Sequence, residues 1–525
     1  MTTLRVRHSV RELQNMYDQG NTKPLDDLIR AWIGIKSLPV DDLNSFFIIG
    51  GYHGEPFEGQ GATLKQYWGG YCNHGNVLFP TWHRVYVLRI EEALQSFEPD
   101  VMMPYWDETS EETLRLGIPK VLTEEKYELD GVLVDNPLQS YIFQKDVMDV
   151  KGESLYSKPE GYKTVRYPLS GLVGTQAAQE KTEIHNNKFP NHTENTALLN
   201  ENVRAWLISG STSDKSPKPK TTGTAYKYFR CLDAPNYTAF SNVVSASEWT
   251  QNNSGHTIVA LEDPHNDVHL AVGGFDVPEQ GEFGLIAGAN GDMGENNTAG
   301  LDPIFFFHHC NVDRMFWLWQ VRNGHTDNFE IIANYPGTNA SGDIAKGGQG
   351  PAVGQQDDEQ LTMETNLYPF LKGDAPDEIY YTSNDCINIE TQLGFTYSDG
   401  SLSTIVDREK NEELSIFEDI TIKSTKKLEV SNINRANFKG SFVIRAYAQV
   451  GEKTFFLGHR SILSRGDVSN CANCQTHLGV VVHFDLFDLT QEEIEKASFS
   501  VEIQHREHAN NDKSKLQIFD TRVID

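Results

Sequence analysis

Two clusters of histidine constrain this chain more than any other feature. The first reads His53, then His74-Gly-Asn-Val-Leu-Phe-Pro-Thr-Trp-His83-Arg84. The second reads His265-Asn-Asp-Val-His269, then Asp302-Pro-Ile-Phe-Phe-Phe-His308-His309-Cys-Asn-Val-Asp313-Arg314. His265 and His269 are one helical turn apart, so both rings leave one helix face and reach one ion. His309 and Asp313 repeat that spacing on a later helix, with the carboxylate able to orient a neighbouring group. His83 opens a helical pattern, His74 lies in the preceding turn, and His53 comes from a Gly-rich loop. Each cluster thus offers three imidazoles to one metal ion, and two such ions facing each other can bind and activate dioxygen.

Histidine count alone does not choose the metal, because neutral imidazole suits copper, zinc, iron and nickel. A zinc hydrolase would want an open site and commonly a carboxylate base such as HExxH, which is missing. His308 points about 100° away from His309 on a helix, so it is expected to be packed or hydrogen-bonded rather than ligating. His185 and His192 fall within residues 110–225, rich in Gly, Pro, Asn and Lys, which read as long surface excursions. They are expected to decorate a loop. Arg84 and Arg314 beside the candidate ligands suit structural ion pairs, with Asp313 as a partner.

A length of 525 residues favours two domains. The net charge of −29 disfavours nucleic acid and anionic membranes as partners. No run of about 18 apolar residues could span a bilayer, and the charged start does not suit a signal peptide, so a cytoplasmic product is expected. Six cysteines in this length do not form a disulfide framework. Helical patterns run from Pro24, over His83–Phe97, His265–Val272 and Pro303–Arg322. Residues 334–358 read as loop. From Leu414 onward short alternating segments such as Phe442–Val450 and Gly479–Leu486 predict an antiparallel β-sandwich or barrel. The expected division is residues 1–405 and 406–525.

The run His74-x4-Phe79-Pro-x-Trp82-His83-Arg84-x2-Val87-x3-Glu91 resembles the CuA signature of the tyrosinase and polyphenol oxidase family. Asp302-Pro-x-Phe305-Phe306-x2-His309-x3-Asp313 resembles its CuB signature, and the likeness covers roughly residues 1–400. The resemblance implies a mainly α catalytic domain with a four-helix bundle around a dicopper site, followed by the all-β C-terminal sandwich domain. His53, His74 and His83 would hold CuA; His265, His269 and His309 would hold CuB. Cys72, two residues before His74, resembles a cysteine bonded through sulfur to the second CuA histidine. Glu262 and Asn266 match positions that hold a water helping to deprotonate a phenol. Leu270 would border the substrate entrance, and Met293 and Asn296 lie where family members place a gating residue.

The implied activity is ortho-hydroxylation of monophenols and oxidation of o-diphenols to o-quinones with O2. Phenolic small molecules are the expected partners, with no membrane or nucleic acid and with a homo-oligomer allowed. Leu393-Gly-Phe-Thr-Tyr397 resembles the motif that closes the catalytic domain. Cys471-Ala-Asn-Cys474 on a β-rich tail resembles the copper-loading CxxC of latent tyrosinases, and soft thiolates suit Cu(I). Phe455, Phe456, Ile462 and Leu463 are candidates for a plug over the coppers, while His459, His477 and His483 are expected not to ligate. A catechol or o-aminophenol oxidase, or a haemocyanin-like O2 carrier, would share much of this pattern.

Overall fold

The computed structural model describes residues 4–54, 70–148, 157–210, 212, 217–275, 290–340, 359–373, 379–406, 422–438, 440–464, 478–505 and 519–525. The helical region is built from α1 (Val10–Asp18), α2 (Lys23–Ser37), α3 (Phe46–Gly51), α4 (Phe79–Gln95) and α5 (Glu111–Leu116). It continues through α6 (Gln176–Asn186), α7 (His192–Ile208), α8 (Thr224–Cys231), α9 (Tyr237–Ser241), α10 (Val243–Asn252), α11 (Glu262–Gly273) and α12 (Ile304–Asn323). Helix α4 starts four residues before His83 rather than at it, because Pro80 suits a first helical turn. Glu262 and Asp263 favour the positive N-terminal end of α11. Gly324, with φ 72°, ends α12 in the left-handed conformation that glycine adopts without a Cβ clash.

Helix α12 is buried from Ile304 to Gln320, so it needs no polar face and shows no apolar stripe. It packs on α4, and the two share one core with Trp32, Phe46, Tyr86 and Trp106. Strand β1 (Arg5–Arg7) pairs in parallel with β6 (Phe395–Tyr397), drawing the two ends of the helical region together. Arg7 meets Glu91 at 2.9 Å and Asp313 at 3.2 Å; Arg84 meets Asp313 at 2.5 Å. Tyr397, from the predicted closing motif, donates to Asp313 at 2.5 Å. Arg314 departs from the expected ion pair: it donates to Ser401 O and Ser403 Oγ and lies over Tyr105.

The segment read as surface excursions is more ordered than its composition implies. Hairpin β2 (Lys126–Leu129)–β3 (Val132–Asp135) does project outward, with Leu133 68% exposed. Helix α7, however, buries Val203, Trp206 and Leu207 and packs on α11. His185 and His192 sit on helices; His185 is buried and bonds Pro168 O at 2.7 Å. A further antiparallel pair, β4 (Asn366–Leu371) and β5 (Tyr380–Thr382), lies beside α4.

Beyond residue 426 strands take over: β7 (Lys427–Asn434), β8 (Phe442–Val450), β9 (Lys453–Ile462), β10 (Gly479–Asp485), β11 (Ser498–His505) and β12 (Asp520–Ile524). They form two antiparallel three-stranded sheets, ordered β10-β7-β12 and β11-β8-β9. Residues from both sheets, among them Leu428, Val430, Phe442, Ile444, Val482 and Phe484, share one apolar core. Cys471, Cys474 and His477 lie outside the described residues.

Candidate metal centre

All six predicted histidines converge. His53 follows the end of α3, His74 lies in the turn before α4, and His83 sits on α4. His265 and His269 project from α11 and His309 from α12. His83 stacks on His309 with centroids 4.5 Å apart at 17°, and His53 meets His74 edge-on at 5.2 Å. Nitrogen atoms of His53, His83 and His309 lie within 4.8 Å of one another, as do those of His265, His269, His308 and His309. His53, Cys72 and His74 form a third group on the same measure. His309 therefore stands at the junction of the two clusters.

The hydrogen bonds show why a cation suits this place. His83 Nδ1 faces Phe79 O at 2.8 Å, His269 Nδ1 faces Met293 O at 2.8 Å, and His265 Nδ1 faces Asn266 Oδ1 at 2.9 Å. Those oxygens only accept, so each Nδ1 carries the proton and each Nε2 is left with a bare lone pair. Yet His265 Nε2 and His269 Nε2 lie 3.2 and 3.3 Å from His309 Nε2. One proton on His309 cannot serve both, and His83 Nε2 has no hydrogen-bond partner at all. One metal ion among His265, His269 and His309 and a second beside His83 would satisfy these lone pairs, so the residues fit a pair of ions.

Burial reinforces that state. It drives the pKa of His83 down to about 3 and those of His265, His269 and His309 well below the usual imidazole value, each further lowered by neighbouring histidines. All four stay neutral and able to ligate at ordinary pH. Phe305 lies over His309 at 4.0 Å and meets His53 edge-on at 4.7 Å. Phe79 flanks His83 at 4.7 Å and His265 at 4.9 Å. Phe306 turns instead into the core against Trp32, Phe46 and Tyr86. His308 takes no part in the stacking of His83 on His309; its Nδ1 bonds Glu108 Oε1 at 2.6 Å.

Glu262 is buried one turn before Asn266 on α11. Its carboxyl accepts from Gly75 N at 2.8 Å and Val243 N at 3.1 Å. Burial raises its pKa to about 7, against the pull of those two amides and of Arg435. Asn266 holds the His265 ring through Oδ1 and donates weakly to Ser461 O at 3.4 Å. Leu270 and Met293 are fully buried and Asn296 nearly so. Cys72 is buried, with Asn296 Nδ2 3.8 Å from its sulfur.

A second polar site was not legible in the sequence. Asp267, between two candidate ligands, accepts from Thr224 Oγ1, pairs with Lys227, and meets His459 Nε2 at 3.0 Å and Ser461 Oγ at 2.7 Å. Burial alone would raise its pKa, but His459 and Lys227 outweigh burial and hold the carboxyl well below its usual range. Lys227 also donates to His459 O at 3.0 Å. Strand β9 thus docks on the back of the histidine-bearing helix. Ser441 Oγ donates to Gly294 O at 2.9 Å, next to the Met293 carbonyl that orients His269. Of the plug candidates, Leu463 joins the apolar core of the helical region together with Val443, whereas Ile462 and Phe455 pack in the strand region and Phe456 pairs with Tyr447. His483 bonds Glu429 at 3.4 Å. Glu108 and Lys227 are single charged residues with no motif around them, and the helical spacing of His265 and His269 says nothing of the partners of Asp267 between them, so only the folded arrangement reveals this site.

A helical core that gathers neutral histidines around a place for metal defines a histidine-bound metalloprotein, and comparison with known proteins says of which family. The family profile for the common central domain of tyrosinase matches residues 43–322. The tyrosinase HcTyr2 of Hahella sp. (strain CCB-MM4) is 55% identical over 97% of this chain and 93% of its own length. A tyrosinase of Aspergillus oryzae is 39% identical over 96% of this chain and 91% of its own. The solved tyrosinase from Burkholderia thailandensis at low pH superposes with a TM-score of 0.88 at 54% identity, covering 99% of this chain and 100% of that one. The chain belongs to the tyrosinase family. It is an oxidase of the type-3 dicopper class, whose members act on O2 and phenols. Among the described residues no helix is long and apolar enough to cross a membrane.

Proposed function

We propose that this protein ortho-hydroxylates monophenols and oxidises o-diphenols to o-quinones, and that its strand-rich tail keeps it latent. The observation that carries the reading is that His265 and His269 Nε2 both approach His309 Nε2 to within 3.3 Å, with Glu262, an acid of pKa about 7, on the helix that bears His265 and His269. His53, His74 and His83 would hold one copper and His265, His269 and His309 the other. Copper, when bound, supplies the activation of dioxygen. The chain's own part is to bind the phenol, keep bulk water out and take its proton. Over a whole turn a monophenol and O2 give an o-quinone and water, and two o-diphenols and O2 give two o-quinones and two waters.

Glu262 is the group assigned to the proton. A carboxylate with a pKa near the working pH is suited to general-base work on a hydroxyl through an oriented water. Asn266 fixes the His265 ring and, with Glu262, holds that water. Leu270, Met293 and Asn296 border the way in. Cys72 forms a thioether to His74, a reading supported by its sulfur lying within 4.8 Å of the His53 and His74 nitrogens. Catechol oxidation alone would need no base, so the buried Glu262 favours the fuller activity.

The division is placed at 405/406, with a four-helix bundle round the coppers and a β-sandwich tail behind them. Latency is supported by the tail's grip on α11 and on Gly294, with Leu463 as the residue presented to the catalytic core. Cys471 and Cys474 are assigned to copper loading. The test is steady-state oxidation of a monophenol and its matching diphenol by copper-loaded protein, before and after limited proteolysis near residue 410. Both rates should rise on cleavage; no quinone from any phenol, cleaved or uncleaved, would refute the assignment.

A further inference from the structure

Behind the second histidine cluster lies a buried polar chain that the reaction as written does not use. Glu108 and His308 are both fully buried, and His308 Nδ1 lies 2.6 Å from Glu108 Oε1. The other oxygen, Glu108 Oε2, accepts from Tyr228 on α8 at 2.6 Å. His308 in turn stacks on His265 with centroids 5.2 Å apart at 22°, and meets His269 edge-on at 5.0 Å and 85°. Its neighbour His309 is 5.1 Å away at 72°. One imidazole therefore touches all three rings assigned to the second copper. Its own plane is set by a carboxyl that α8 holds from the far side.

A ring held by one ligand–metal bond and one Nδ1 hydrogen bond can still tilt about that line. His265 has only its sequence neighbour Asn266 as Nδ1 partner, so its tilt depends on the surface it lies against. Phe79 meets the ring edge-on at 4.9 Å, and His308 supplies a stacked side of that surface. A phenylalanine there would stack equally well but could not be locked, because it offers Glu108 nothing to bond. Full burial of Glu108 and Tyr228 is costly unless each polar atom is matched, and the chain Tyr228–Glu108–His308 matches them.

We propose that Glu108 and His308 are positioning residues for the second copper, Glu108 clamping His308 so that His308 braces the rings of His265 and His269. The inference rests on the ligand assignment made above. It is tested by copper retention against a chelator in the full-length protein, with the melting temperature of the copper-free protein measured alongside. Glu108→Leu and His308→Phe should release one of the two coppers about 10- to 100-fold faster than wild type, the range for loss of a group that orients a metal ligand. Glu108→Gln, which still accepts from His308, should stay within about threefold, and Tyr228→Phe should fall between.

Equal loss of both coppers, or losses that merely track the copper-free melting temperature, would overturn the proposal. So would wild-type retention in Glu108→Leu and His308→Phe. Loss in His308→Phe with full retention in Glu108→Leu would replace positioning by direct ligation. If Glu108→Leu does not fold, His308→Phe and Tyr228→Phe carry the test. His265→Ala separates the premises: if that variant keeps both coppers, the ligand assignment fails whatever Glu108 does.

Discussion

The two histidine clusters are held in different ways. His53, His74 and His83 come from a helix end, a turn and a helix, and are wedged among Phe79, Trp82, Tyr86 and Phe305. Aromatic rings fix their position by shape, and His83 Nδ1 adds a bond to Phe79 O at 2.8 Å. His265, His269 and His309 sit instead in a shell of acids, amides and carbonyls: Asn266, Met293 O and, through His308, Glu108. The back of that shell, at Asp267, is closed by His459 and Ser461 from the strand region. The first half is lined more by aromatic rings, whereas the second adds side-chain partners in Asn266 and Glu108 and a contact from the strand region at Asp267. Packing cannot be switched without a cavity, whereas a hydrogen-bonded contact can be exchanged for water.

The sharpest way to break this contrast is to remove a ligand from each half. His83→Ala and His265→Ala should each abolish phenol oxidation and lower bound copper from about two to about one per chain, as counted by elemental analysis. If either retains both ions, the division into halves is wrong. Next in size is the frame the halves share. Asp313 binds Arg7 and Arg84, joining β1, α4 and α12. Asp313→Ala strands a buried Arg84 guanidinium and should cost about 3–5 kcal/mol, read from denaturant unfolding. A loss below about 1 kcal/mol would show that the frame is held by packing alone.

A smaller effect should separate the chemistry of the two substrates. Glu262→Gln should lower monophenol turnover by about 100-fold and diphenol turnover far less. With its pKa raised by burial to about 7, the wild-type carboxyl is protonated below that pH and cannot accept. The ratio of monophenol to diphenol rate should therefore climb as pH rises through 7, and Glu262→Gln should flatten it. Equal falls for both substrates would assign Glu262 to structure. Smallest of all, His459→Ala with Ser461→Ala should raise the activity of uncleaved protein by roughly two- to tenfold and leave that of cleaved protein unchanged. No change in the uncleaved protein would mean that the grip on Asp267 does not hold the tail.

Much of the catalytic half was legible because its signals are local. His265 and His269 share a face by helical arithmetic, and Pro80 marks the start of α4 even though the helix was expected to open at His83. Alternation in Phe442–Val450 foretold a strand for the same reason. Helix α7 was missed because its polar composition, His-Thr-Glu-Asn-Thr, hides the buried Val203 and Trp206 that follow. Arg314 was expected in an ion pair, but the chain returning at Ser401 offers it a carbonyl and Ser403 a hydroxyl.

By itself the sequence determined the residue types, their local spacing and the choice of a histidine metal chemistry, since these follow from 3.6-residue and two-residue periods and from ligand preference. Tertiary structure alone decided which lone pairs face one another, which carboxyl stands behind which ring, and that β9 closes the back of α11. Glu108 lies 200 positions from His308 and Asp267 lies 192 from His459. Contacts at that separation arise from the packing of whole elements, and no local period in the chain encodes them.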